Sequence, residues 1–263
     1  MFPTKAFPIK AFFLPFLLLQ LSVPQPSYGA DILKVDYESG TSDSGIKGLK
    51  ATHAKAADAA FISRDYSRSG DYSIGHKVVL GDSTYQSNNS YRSESDTIEI
   101  ISTRYEPGME IKYQFSVLLN NWEDWSGKDI PIDIIWQFKH TQGEPDAVIG
   151  VKRNSLVLRY GESGEQATLI DDIRSLDNKW IDIRADILWS DTNNGYLTVY
   201  VRTEDETDFI EKLNLDNFKT FTDNGKGDFG YLKWGLYRPD STSSNNALER
   251  VVYHDDITIS AIR

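Results

Sequence analysis

Ten short β-rich runs with almost no helical pattern between them constrain this chain more than any other feature it has. They span 72–80, 97–102, 110–119, 130–139, 147–151, 155–160, 180–189, 195–202, 231–237 and 251–262. Turn residues bound most of them, among them Pro107-Gly108 and the strings GEP at 143–145, NNG at 193–195 and GKG at 225–227. Parallel strands need long crossovers, usually helical, and this chain lacks them. The pattern therefore predicts an all-β fold, a two-sheet antiparallel sandwich of jelly-roll type. Helical signals are confined to the alanine-rich stretch 54–60 and a short turn at 215–219. Three segments read as long loops: 120–129, 203–229 and 240–246, the last (DSTSSNN) a candidate flexible rim.

The first 30 residues stand apart. Lys5 and Lys10 precede an apolar run, AFFLPFLLLQLSV at 11–23, and then prolines and small residues up to Ala30. This is the pattern of a secretory signal peptide cleaved after Gly29 or Ala30, too short and proline-broken for a comfortable membrane span. Residues 31–263 are expected to form one domain, secreted or periplasmic and monomeric. The chain has no cysteine, so neither a disulfide nor a lipid anchor is available, and an ordinary hydrophobic core must hold it. The leader carries two lysines and no acid; without it, 26 basic residues face 39 acidic ones, a net charge of −13. Such a surface repels nucleic acid and anionic membranes, and any anionic ligand would need a locally basic groove.

One run stands out chemically. GYLKWGLYR, at 230–238, splits with period two into Leu232, Trp234 and Leu236 on one face and Tyr231, Lys233, Gly235 and Tyr237 on the other. The first set is a core face. The second offers two phenols and an amine, with a glycine that would let a ligand approach the backbone. An ordinary half-exposed strand with aromatic decoration would also explain it.

Three strings occur together: YRSE at 91–94, WQFKH at 136–140 and YLKWGLYR at 231–238. In this order the chain resembles the jelly-roll polysaccharide lyases, the alginate lyases, glucuronan lyases and heparin lyase I. The likeness extends to the tryptophan-led strand and NNG hairpin of 180–201 and to YHDDITI near the C-terminus. The resemblance implies a concanavalin A-like sandwich with a concave groove, acting on a uronic-acid polysaccharide by β-elimination. Such an enzyme removes the C5 proton beside the uronate carboxylate and expels O4. Donors must first neutralise that carboxylate, because preorganised donors aimed at developing charge are usually the largest catalytic term. Arg92 and Gln137 match the neutralising positions, and Tyr237 matches the tyrosine that acts as base, acid or both. An ordinary phenol ionises near pH 10, so neighbouring cations (Lys233, Arg92, Lys139) are expected to assist. Lys233 lies roughly 13 Å along the strand from Tyr237, which suits an adjacent sugar better than the phenol itself. Lys139, Lys233, Tyr231, Glu94, Arg238 and His140 complete the expected substrate-binding set. Glu94 shares a face with Arg92 and would fix its guanidinium; a surface ion pair of little value is the alternative.

The chain departs from part of that family. Alginate and heparin lyases carry Gln-x-His, whereas here Lys139 fills the histidine slot and His140 follows it. Period two puts Asp133, Ile135, Gln137 and Lys139 on one face and Ile132, Ile134, Trp136, Phe138 and His140 on the other. His140 then points away unless the strand has ended, and Tyr237 is expected to carry both proton transfers. His53, His76 and His254 read as structural.

At the C-terminus, Val251, Tyr253, Asp255, Ile257 and Ile259 share a period-two face, leaving Asp255 among apolar neighbours. Sandwiches of this class often hold a structural Ca2+ through such an aspartate and an acid from the first strand, here Asp36 or Glu38. Backbone amides capped by Asp255 are the alternative, and no cofactor is expected for catalysis. Two rival functions remain. A laminarinase-type glycoside hydrolase needs carboxylate pairs spaced Glu-x-Asp-x-x-Glu, and the string IDIIWQF has Gln137 and no glutamate pair. A non-catalytic, lectin-like carbohydrate-binding module would keep groove aromatics and donors but has no need of Tyr237, Arg92 and Gln137 together.

Overall fold

The computed structural model describes residues 29–122, 132–225, 227–239 and 248–263. The expected leader, except for Gly29 and Ala30, the rim at 240–246 and most of the loop at 120–129 lie outside the described residues. Among the described residues fifteen strands follow in chain order: β1 (Asp31–Val35), β2 (Ala60–Ser63), β3 (Ser73–Val79), β4 (Gln86–Ser87), β5 (Ser90–Asp96), β6 (Glu110–Asn120), β7 (Ile132–His140), β8 (Ala147–Lys152), β9 (Ser155–Tyr160), β10 (Glu165–Ile170), β11 (Trp180–Leu188), β12 (Gly195–Thr203), β13 (Ile210–Phe218), β14 (Gly230–Arg238) and β15 (Glu249–Ala261). Every pairing between them is antiparallel. One sheet runs β13-β12-β11-β6-β15-β3-β2, with β1 beside β15; the other runs β10-β9-β8-β7-β14-β5-β4. This is the all-β jelly-roll sandwich that the spacing of strand signals predicts.

Between the sheets the inward side chains make one core. Phe115 stacks on Trp136 at 3.9 Å, and Tyr105 stacks on Trp189 at 3.8 Å. The indole N–H groups of Trp189 and Trp234 donate to the hydroxyls of Tyr113 (2.9 Å) and Tyr37 (2.8 Å), whereas that of Trp136 is buried without a partner among the described residues. At about 25 cal/mol per Å2, each buried ring of 150–250 Å2 contributes at most about 4–6 kcal/mol. That is how the cysteine-free chain holds its two sheets together.

Several local expectations are corrected. No strand occupies 97–102: β5 lies just before it and ends at Asp96, the amide of Ile100 turns back to the carbonyl of Thr97, and a 3-10 turn covers Ile101–Thr103. The alanine-rich 54–60 is turn and irregular chain leading into β2, not helix. The loop read at 203–229 contains β13, including Leu215 to Phe218 of the stretch taken for a helical turn. As the edge of its sheet, β13 is largely exposed and polar, so it lacks the apolar alternation of a covered strand. The face assigned to β15 also breaks: Val252 and His254 point inward, and so do Ile257 and Ile259. The register shifts between Asp255 and Thr258, where Asp256 takes φ 49°, and this bulge exchanges the two faces.

Candidate active site

The outer face of the smaller sheet gathers the expected residues onto three adjacent strands. On β5, Ser93 and Ser95 turn inward, where the Ser93 hydroxyl donates to the Ala59 carbonyl and Ser95 lies 3.1 Å from His76 Nε2. Period two then sends Arg92, Glu94 and Asp96 outward. In β14, Leu232, Trp234 and Leu236 join the core as the sequence predicts. Register sets Tyr237 opposite Arg92, and Lys233 opposite both Asp96 and Gln137.

Gly235 has a different purpose from the one expected. Its φ is 135°, and an added Cβ would fall 2.8 Å from the Glu94 Cα and against the Ser93 carbonyl. Glycine is needed for strand packing and backbone conformation there, not for access by a ligand.

The face assignment of β7 is half right. Gln137 and Lys139 point outward, but Ile135 and Trp136 both enter the core, and Ile132 and Ile134 form an outer apolar cluster with Val148, Val157 and Tyr237. Register shifts on both neighbours, between Ile134 and Trp136 and between Trp234 and Tyr237, account for the switch. The bulge supplies Tyr237 with an apolar floor.

Glu94 ties these strands together. Its carboxylate accepts from Gln137 Nε2 and from Lys233 Nζ at 2.6 Å, while Arg92 Nη1 stands off at 3.9 Å. Glu94 therefore fixes the amide and the ammonium more closely than the guanidinium. Arg92 lies over the Tyr237 ring, Cζ 4.1 Å from its centroid, a cation–π contact, and its Nε has no hydrogen-bond partner. Gln137 keeps a second amide hydrogen, and Arg92 keeps most of its fork, for a ligand. Lys139 binds the Gly143 carbonyl. Burial pulls its ammonium below the usual lysine range; Lys233 and Arg92 act in the same sense, Glu144 and Asp228 against it. The three cations thus share one region, with Glu94 and Asp96 of β5 beside Arg92 and Lys233, and Glu144 and Asp228 near Lys139.

Tyr231, also on this face, is driven the other way. Burial, then the charges of Asp96 and Glu94, push its phenol up to about 12 against the pull of Arg92. It stays a hydroxyl at neutral pH and suits hydrogen bonding rather than proton abstraction.

Two expected substrate contacts are corrected. Arg238 is buried, with Nε 3.2 Å from Asp133 Oδ1 and Nη1 donating to the Leu248 carbonyl at 3.1 Å. His140 is fully enclosed, with Nε2 2.6 Å from Asp146 and Nδ1 3.0 Å from Asp228, under the Phe221 ring. Both satisfy buried carboxylates and have no surface to offer a sugar. His76 and His254 are likewise enclosed, and burial lowers His76 to about 3. The fourth histidine, His53, reads differently from the sequence expectation: its side chain is 42% exposed, and Nε2 lies 2.6 Å from Asp96, in line with Arg92 and Glu94 on β5. Nothing in the loop around His53 signals this pairing, because Asp96 lies 43 residues away.

A further string, ESDTIE at 94–99, does carry the Glu-x-Asp-x-x-Glu spacing of the hydrolase rival. The end of β5 at Asp96 dissolves it: Glu99 lies beyond the strand, exposed, and binds Lys50 at 2.7 Å.

The residues expected to hold Ca2+ do not fit the ion. Asp255 spends both oxygens on the backbone amides of Arg68 (2.8 Å), Ser69 (3.4 Å) and Asp256 (2.7 Å). Asp36 pairs with Lys34, and Glu38 accepts from the amides of Asp71 and Tyr72. Among the described residues no group of three or more His, Cys, Asp or Glu could hold a metal.

The sequence profile of a family described as polysaccharide lyase matches residues 38–258, most of the chain and every residue of this face. The chain belongs to the polysaccharide lyase family. A search of curated protein sequences finds no match. Among solved structures, this lyase is similar to the endo-β-1,4-glucuronan lyase of the fungus Trichoderma reesei (17% identity, TM-score 0.64, covering 88% of this chain and 96% of that one). It is also similar to the alginate lyase of Klebsiella pneumoniae (10%, 0.58, 86% and 98%). A glycoside hydrolase family 131 catalytic domain from Coprinopsis cinerea overlays as well (12%, 0.57, 88% and 94%). At such identities the overlays show the fold alone. No helix among the described residues is long and apolar enough to cross a membrane.

Proposed function

We propose that this polysaccharide lyase is secreted through its N-terminal leader and cleaves a uronic-acid polysaccharide as a monomer by β-elimination. Arg92 and Gln137 bind the uronate carboxylate and hold its charge as the C5 proton leaves. Tyr237 takes that proton; the electron pair forms the C4–C5 double bond, the C4–O4 bond breaks, and O4 leaves with a proton returned by the same phenol. Lys139 and Lys233 attract the polyanion, and Tyr231 donates to it. Protein donors fill the neutralising role, so no bound cofactor enters the scheme.

One observation carries this reading: Arg92 lies across Tyr237, with donor capacity that Glu94 leaves unused. A second assignment of the base rests on His53, the only one of the four histidines open to solvent, held by Asp96. His53→Ala losing as much activity as Tyr237→Phe would select it.

The test is ultraviolet absorbance of the unsaturated uronate over a panel of glucuronan, alginate, heparin and ulvan. Product on at least one polymer is expected. Measurable binding with a silent panel would favour a lectin-like module.

A further inference from the structure

The strand register lays a straight row across the smaller sheet. Asp96, Lys233, Gln137, Val148, Arg159 and Gln166 are successive cross-strand partners from β5 to β10. Partners opposite one another present their side chains on the same face, so Arg159 on β9 shares the face of Gln137. Two strand spacings separate them, about 10 Å. That is the span of two pyranose rings in an extended chain. In a 1,4-linked chain with a twofold screw, rings two apart turn their carboxylates to the same side.

The surroundings of Arg159 suit an anion. The residue is exposed, and among the described residues its guanidinium has no ion pair. It borders a cavity of about 390 Å3 whose walls include Ile134, Val148 and Tyr160, within the size range of small-molecule sites. Two of the acids of that cavity are engaged elsewhere: Asp146 faces His140 at 2.6 Å and Glu162 accepts from Lys219 at 2.6 Å. Ile134 and Val148 belong to the same apolar cluster that Tyr237 packs against, so the floor under Tyr237 continues into this cavity. Such a floor suits the C–H face of an intervening sugar, and an arginine fork suits a carboxylate.

We propose that Arg159 binds a second uronate carboxylate, two sugars along from the one held by Arg92 and Gln137, so that the site reads spaced carboxylates along an extended chain. This rests on the uronate reading above. Arg159 would act as a positioning residue, remote from the reacting bond.

The test is a size series of oligosaccharides from the polymer that the wild type cleaves, assayed with the wild type, Arg159→Ala and Arg159→Lys. A charge-assisted contact predicts that Arg159→Ala lowers kcat/KM on long oligomers by about tenfold to a hundredfold. The loss should sit in KM, vanish on the shortest cleavable oligomer, and be partly restored in Arg159→Lys. Equal losses at every length, or none at any length, would overturn the proposal while leaving the uronate reading intact. A wild type silent on every uronate would remove that reading, and this one with it.

Discussion

Two buried carboxylates, one on the outer face of each sheet, are surrounded by the same kinds of residue and serve opposite ends. On the larger sheet, Asp182 takes Arg68 through both oxygens (3.0 and 2.9 Å), Arg202 at 2.9 and 2.7 Å, and the Ser116 hydroxyl at 2.7 Å. On the smaller sheet, Glu94 takes Gln137 and Lys233 but leaves Arg92 at 3.9 Å, lying on a phenol. Around Asp182 the acid's hydrogen-bonding capacity is filled. Around Glu94 only the amide and the ammonium are drawn in, and the guanidinium is left lying on Tyr237 with its Nε unpartnered. The difference lies in where the arginine is held: on the carboxylate in the clamp, on a phenol in the candidate site.

The widest separation between the two regions should come from paired substitutions. Breaking a buried ion pair by neutralising one partner costs about 3–5 kcal/mol, which in a chain of this size lowers Tm by roughly 10 °C. Asp182→Asn is expected to do that while the folded enzyme keeps its turnover. Arg92→Ala is expected to lower kcat/KM by about a hundredfold to a thousandfold, the loss typical of a removed transition-state donor, and to shift Tm by only a few degrees. Thermal melts and steady-state rates on the two variants check this. An inactive but stable Asp182→Asn, or an active but unstable Arg92→Ala, would break the comparison.

A smaller effect sharpens the description of the larger sheet. Burial raises the carboxyl of Asp255 to about 7 from an ordinary 3.8, and the neighbouring Asp256 charge adds to this against the amides of Arg68, Asp256 and Ser69. Between these values the folded state holds a proton that the unfolded chain has released, so the contribution of Asp255 to stability is fullest below about pH 4 and is lost as pH rises to about 7. Asp182 works in the opposite sense. Burial alone would raise it, but Arg68, Ser116 and Arg202 bring it below the usual carboxylate range, so its contribution is lost only as pH falls through that range. Melting Asp255→Asn against the wild type from pH 4 to 8 should show a flatter profile in the variant. Parallel profiles would remove Asp255 from the account.

Where the strands are regular, the sequence was enough. Alternation alone puts Leu232, Trp234 and Leu236 inside and Tyr231, Lys233 and Tyr237 outside, and Arg92 and Glu94 on a common face. It failed where a bulge exchanges faces, at Ile135 in β7 and at Asp255-Asp256 in β15, because an extra residue leaves no mark in the pattern of hydrophobicity. It also failed for charged residues enclosed by distant partners. Arg238 finds Asp133 and His140 finds Asp146 and Asp228 only once the sheets have formed; from sequence Arg238 looks free to meet a ligand, and His140 does so if the strand ends before it. The pairing of His53 with Asp96 and the alignment of Arg159 with Gln137 are likewise products of register, invisible until the strands are laid side by side.

Turnover and binding of Tyr237→Phe, measured together on the polymer that the wild type cleaves, address the central claim most directly. Without the hydroxyl the group assigned to both proton transfers is gone, while Arg92, Gln137 and the lysines still meet the polyanion. The expected result is no detectable unsaturated product with affinity close to that of the wild type. Near-normal turnover in that variant would contradict the assignment.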